Sequence, residues 1–372
     1  MNRIGIDLGT TNTVIAAEDR TLALASDGST TLPSVVAYLP NGRITIGSEA
    51  RRRRSIDGPN TIFSSKRIIG RQLHEPQARR FQERYPFELV EAGEGLAAFR
   101  TRAGDKTPED VACELLTAIH ERIASVLDEV EVVITVPTGF GDAQRDATRS
   151  AARRAGFADV RLVDEPDATA CAYLHSPDAS GRVAVYDLGG GTFDISVLDL
   201  SGGQPQLLAK GTDPYLGGDD IDLKIAEWVT REVLKEHNWD LTNYSEVEVR
   251  LIAECERAKI RLTDAEETFV DLSQVDPECP IADGGVPLRR PVLDGLSSEL
   301  VQRTFVTCDD VLHRAGVRAS ELTAVLLAGG TTHLPVVRRG VEAYFGRAGH
   351  DEIEPTEVVA RGASCASADL EP

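Results

Sequence analysis

The chain has 372 residues, 41% of them hydrophobic, enough for two or three domains with ordinary packed cores. No stretch approaches the roughly 20 apolar residues of a membrane span, and no basic-then-apolar secretion signal opens the sequence, which points to a cytoplasmic protein away from the bilayer. Lys and Arg number 40 against 60 Asp and Glu, and the net charge of −20 repels nucleic acid and anionic lipid at long range, which argues against polyanionic partners.

In chain order, the first predicted element is the apolar run Ile4-Gly5-Ile6, which ends in Asp7 and turns on Gly9-Thr10-Thr11-Asn12. A strand that ends in a carboxylate and turns on glycine gathers backbone N–H groups, a hydroxyl and a negative charge in one concave spot, which suits polyphosphate with a divalent cation. The basic run Arg51 to Arg54 reads as a solvated helix face or a local docking patch. Thr107-Pro108 opens a helix with Val111, Leu115, Ile119, Ile123 and Val126 on one face. The continuous apolar strand Val132 to Val136 then ends at Pro137 and reads as the buried centre of an α/β sheet. Asp142 begins a helix that stops at Gly156, and a further helical segment runs from about Pro166 to Leu174. The stretch Ser176-Pro177-Asp178-Ala179-Ser180-Gly181 reads as a linker.

The theme then repeats. Val183-Ala184-Val185-Tyr186 leads into Asp187-Leu188-Gly189-Gly190-Gly191-Thr192-Phe193-Asp194, a near copy of the first turn. One such turn is weak evidence, but two suggest a duplicated strand-turn-strand unit whose halves share one nucleotide. A third glycine turn, Leu216-Gly217-Gly218-Asp219-Asp220, stands at the mouth of a helix marked by Ile221, Ile225, Trp228 and Val229. Two more helices carry Val247, Leu251, Ile252, Cys255 and Ala258, then Leu296, Leu300, Phe305, Cys308, Val311 and Leu312, the latter ending at Gly316. A fourth turn, Gly329-Gly330-Thr331-Thr332, joins the strand Val325 to Leu327 to a helix near Pro335. The third and fourth turns offer helix N-termini to an anion. The six cysteines lack two-residue spacing and read as buried thiols.

Neither a Walker A sequence nor a Rossmann fingerprint is present in the right context. The duplicated Asp-x-Gly turn with a late Gly-Gly-Thr turn resembles the actin, sugar-kinase and heat-shock-chaperone superfamily. Within it, the chain resembles the DnaK-type seventy-kilodalton heat-shock chaperones from Ile4 to about Ala366. Besides the two phosphate turns, Phe63 to Gly70 looks like the family's lysine segment. Val136-Pro137 with Asp142 to Arg145, and Asp164-Glu165-Pro166, resemble its hinge motifs, and Glu256-Arg257-Ala258-Lys259 resembles its adenosine-binding helix.

The resemblance implies an actin-like ATPase fold, α/β with duplicated ribonuclease-H-like domains and two lobes around a nucleotide cleft. Lobe I would span 1–179, with core 1–37 and 105–179 and peripheral part 38–104. Lobe II would span 180–372, with core 180–222 and 296–352, peripheral part 223–295, and a helix 355–366 packing back toward lobe I. The implied ligands are ATP or ADP, Mg²⁺ and K⁺. Asp7, Asp187 and Asp194 would serve the cations, and Lys66, Glu165, Asp187 and Thr192 the hydrolysis. Gly9, Thr10, Thr11, Asn12, Gly189, Gly190, Gly191, Gly217 and Gly218 would cradle phosphate. Glu256, Lys259, Thr263, Gly329, Gly330 and His333 would hold the nucleoside. His333 stands where the family usually has an arginine over the base.

Further departures fall on the surface that the family uses for coupling. Asp164 and Asp167 add two negative charges beside Arg161, which the resemblance makes part of a J-domain docking surface, and Gly139 replaces an aromatic residue. The residues up to Pro372 include no stretch resembling the family's hydrophobic linker or β-rich peptide-binding domain, so they read as the ATPase half alone, either excised from a longer protein or a natural chain. The expected function is therefore slow ATP hydrolysis by a monomeric chaperone module, served by a J-domain co-chaperone and a nucleotide-exchange factor. The alternatives are a small-molecule kinase of the same superfamily and a nucleotide-gated scaffold with little turnover.

Overall fold

The computed structural model describes residues 2–18, 20–23, 28–124, 130–174, 176, 179–242, 244–281 and 284–366. Val126, Pro177 and Asp178, used in the sequence reading, lie outside the described residues. The chain forms two compact units. One holds the sequence up to Val185, Leu198–Leu207 and the segment from Asp351 onward. The other holds Tyr186–Val197 and Leu208–His350.

The first unit is built on a six-stranded sheet. Its central strand, Asn2–Leu8, pairs in parallel with Val130–Val136, which pairs in parallel with Val160–Asp164. On its other side Asn2–Leu8 runs antiparallel to Asn12–Ala17. Side chains alternate across a strand, so Ile4, Ile6 and Leu8 face one layer and Gly5 and Asp7 the other. The first layer is an apolar core shared with the helices Pro108–Ala124 and Asp142–Arg154 through residues such as Leu116, Ile119, Ala147 and Ala151. Thr107 and Asp110 fix the start of the longer helix reciprocally. Thr107 N donates to Asp110 Oδ2 at 2.9 Å and Asp110 N donates to Thr107 Oγ1 at 3.1 Å.

The second layer contains the helices Glu165–Tyr173 and Val358–Cys365. Their approach is close because two glycines permit it. A Cβ on Gly5 would fall 2.2 Å from the Ala360 oxygen, and one on Gly362 would fall 1.7 Å from the Ala168 oxygen. Arg3 Nη1 and Arg161 Nη2 donate to the Ala366 carbonyl at 2.6 and 3.0 Å, and both guanidiniums meet Glu131, so the end of this helix is clasped from two strands. Two small three-stranded sheets, spanning residues 35–63 and 89–106, complete the unit around Tyr38, Phe81, Phe87 and Phe99. Here Arg54 departs from a simple solvated face, since its guanidinium lies 3.8 Å from the centre of the Phe63 ring.

A four-stranded sheet, the greater part of it in the second unit, has the order Gln206–Asp213, Phe193–Asp199, Arg182–Leu188, Ala324–Ala328. Four long helices accompany it: Gly218–His237, Ser245–Arg261, Arg290–Ala315 and Pro335–Phe345. The third ends where Gly316 adopts φ 65°, a left-handed cap that favours glycine.

Candidate functional site

Both predicted phosphate turns join two neighbouring strands. The first joins Asn2–Leu8 to Asn12–Ala17, and the second joins Arg182–Leu188 to Phe193–Asp199. Both close over the same three-residue step. A Cβ on Gly9 would lie 2.2 Å from the Asn12 oxygen, and Gly189 N donates to the Thr192 oxygen at 3.0 Å.

In the first unit the turn is pinned by Ser34. Its hydroxyl donates to the Gly9 oxygen at 2.7 Å and its amide to the Thr11 oxygen at 2.8 Å. Gly9, Thr10, Ser34, Ser65 and Lys66 line one small recess. Lys66 Nζ donates to Glu165 Oε1 at 2.7 Å, with both side chains largely enclosed, and lies 5.8 Å from the Phe140 ring centre. Asp7 belongs to the same group. Burial pushes its carboxyl up to about 6, the Glu165 carboxylate adds to the rise, and Lys66 and a 3.2 Å hydrogen bond from Thr135 oppose it. A segment far from Asp7 in sequence thus supplies a cation, and the first residue of the helix Glu165–Tyr173 supplies a carboxylate; Asp7 remains short of positive charge.

In the second unit three turns interlock. Gly218 N donates to the Gly189 oxygen at 3.1 Å, Asp219 N to the Gly190 oxygen at 2.6 Å, and Thr331 Oγ1 to the Gly189 oxygen at 2.8 Å. Gly217 has no room for a side chain, since a Cβ would sit 2.6 Å from the Gly190 carbonyl carbon and oxygen. Gly329 combines φ 82° with an approach of 2.4 Å between its notional Cβ and the Leu188 oxygen, and 2.6 Å to Asp187 Oδ1. Its need for glycine is therefore met inside the protein. Thr192 and Gly330 lie in these turns, His333 closes the Gly330–His333 turn, and Asp194 accepts a hydrogen bond from Thr212 Oγ1. Glu256 is half-buried on the Ser245–Arg261 helix, and Thr263 follows that helix's end. Lys259 is 8% exposed and points inward, donating to the Gly218 oxygen and to Asp222, both at 2.9 Å.

The coupling surface needs correction. Asp164 is 6% exposed and receives Arg145 Nη2 at 2.7 Å, so its charge is neutralised inside the fold and is not presented to a partner. Arg161, 8% exposed, is occupied by Ala366 and Glu131. Ser34, Thr135 and Asp222 were given no role in the sequence reading, and Arg145 was read only as part of a hinge motif. Two of them carried a signal: Thr135 interrupts an apolar strand, and Asp222 falls on the buried stripe of Ile225, Ala226, Val229 and Val233.

The donor set fits Mg²⁺. This ion keeps several waters and takes one or two carboxylates plus phosphate oxygens, without needing a cage made of protein. Among the described residues no group of three His, Cys, Asp or Glu side chains could hold a metal by itself. The elevated Asp7 carboxyl, ending an apolar strand, is the kind of group that a cation would relieve.

Glycine turns that each follow a strand carrying a carboxylate, on a mixed α/β fold with several sheets, are the features expected of a phosphate-binding ATPase module. A family model described as Hsp70 protein matches residues 3–372, and the chain belongs to the Hsp70 family. Its fold is accordingly the actin-like ATPase fold, and it is a chaperone ATPase module of a family whose ATPase domains bind ATP or ADP with Mg²⁺.

Proposed function

We propose that this chain binds MgATP and hydrolyses it slowly as the nucleotide module of a DnaK-type chaperone, with its two lobes closing on the nucleotide. The observation that carries the reading is the Lys66–Glu165 pair at 2.7 Å with the Asp7 carboxyl beside it. Hydrolysis of a phosphoric anhydride asks for positioning and charge stabilisation more than for covalent chemistry. Lys66 brings an ammonium to the γ-phosphate, where charge redistributes in the transition state. Glu165 holds that ammonium and orients the attacking water. Bound Mg²⁺ neutralises phosphate charge, and Asp7, Asp187 and Asp194 are the residues that would serve it. Thr10, Thr11 and Thr192 supply donors from the two turns, and no protein nucleophile is needed. Glu256, Lys259, Thr263 and His333 form the nucleoside end.

The same reading takes K⁺ as a second cation, a J-domain protein and a nucleotide-exchange factor as partners, a monomeric state and a cytoplasmic location. Since Asp164 is paired internally, any altered J-domain response rests on Asp167 and on what reaches Arg161. Lys66→Ala tests the core of the proposal. Losing one preorganised donor costs on the order of 3 kcal/mol in the transition state, about a hundredfold. Single-turnover hydrolysis should fall by that factor while MgATP affinity changes little, and turnover within threefold of the parent would refute the role. Phosphate release measured with and without small hydroxyl acceptors separates hydrolysis from phosphoryl transfer to an alcohol.

A further inference from the structure

The hydrogen bonds of Lys259 have a consequence for the second unit. Its ammonium donates to the Gly218 oxygen and to Asp222, each at 2.9 Å, so two of its three N–H donors are used within the protein. Asp222 is 3% exposed and Lys259 8%, on two different helices. The ammonium also stands at the junction of the turns. A Cβ on Gly218 would lie 2.9 Å from Lys259 Nζ and 2.7 Å from Thr331 Oγ1, and Thr331 in turn holds the Gly189 oxygen.

The geometry points to Asp222 as a positioning residue for nucleotide binding: it holds Lys259 against the Gly218 carbonyl and thereby sets the spacing of the Gly189, Gly217–Gly218 and Gly330–Thr331 turns. The inference rests on the proposed MgATP reading. The ammonium keeps one N–H donor for the nucleoside, but its position is set by a carboxylate one turn into the neighbouring helix. A buried ion pair is geometrically demanding and adds little net stability over an apolar pair, whereas loss of one member leaves the other uncompensated. Glu256 and Asp219 add further negative charge to the field at this ammonium. Of the carboxylates that favour this cation electrostatically, Asp222 is the one hydrogen-bonded to it.

The test uses the full chain and two probes, MgADP and magnesium tripolyphosphate, the second having no sugar for Lys259 to touch. Asp222→Asn should raise the Kd for both at least tenfold. In the absence of ligand it should also speed amide hydrogen exchange at residues 188–192, 216–220 and 329–333, with the rest of the unit unchanged. Equal Kd values within twofold, or a uniform rise in exchange across the unit, would overturn the role. If this variant does not fold, the pair is replaced as Asp222→Leu with Lys259→Met. Tripolyphosphate affinity should then still fall tenfold, and parental affinity would overturn the inference. Failure of the parent itself to bind MgADP would instead refute the nucleotide reading.

Discussion

At Asp7, burial and the Glu165 carboxylate push ionisation from an ordinary 3.8 up to about 6, against the pull of Lys66. Folding therefore favours the protonated form of this side chain. Its contribution to stability is complete below about pH 3.8 and is lost as pH rises through about 6. Asp7→Asn should raise stability at pH 7.5 clearly more than at pH 4.5, where only part of the penalty has developed, when nucleotide and Mg²⁺ are absent. Denaturant titrations of parent and variant at the two pH values measure this, and a difference that does not vary with pH would contradict it. The same substitution should weaken binding of the magnesium nucleotide, so that stability and function oppose each other at one carboxylate.

Among the elements, the helix Val358–Cys365 shows most clearly how backbone proximity is enforced by residue size. Gly362 meets the Ala168 oxygen at a distance no side chain tolerates, and the contact is to backbone, which cannot rotate away. Gly362→Ala should cost about 1–3 kcal/mol through displacement of the helix. The loss should appear as a lower urea midpoint and as faster amide exchange within residues 358–365; an unchanged midpoint would mean that the two helices slide apart freely. Contacts of this kind were illegible in the sequence, where Gly5 and Gly362 are merely two glycines among 32. The phosphate turns were legible because each is local, with strand, carboxylate and glycine contiguous. Lys66 with Glu165, Lys259 with Asp222, and Arg161 with Ala366 are pairings over long sequence separations. Residue pattern gives no register for them, and the charge expected outside at Asp164 is inside because Arg145 meets it there.

Across the whole molecule the chain passes from one unit to the other four times, so the first unit is assembled from three separate stretches and the second from two. The core strand Asn2–Leu8 leaves the ribosome first, yet the helix that covers its Gly5 face begins at Val358. At about 5–20 residues per second, translation separates the two by roughly 20–70 s. During that interval the sheet face carrying Gly5 and Asp7 lacks the helix that packs on Gly5, with only Glu165–Tyr173 available in that layer. Nascent chains stalled with residue 350 just outside the exit tunnel should therefore be cut readily by protease within the first 20 residues. Chains stalled with residue 370 outside should be protected there, and equal protection in both would show that the sheet matures without its last helix. A module of a chaperone family would then itself emerge half-covered, its first strand waiting for the last helix to be made.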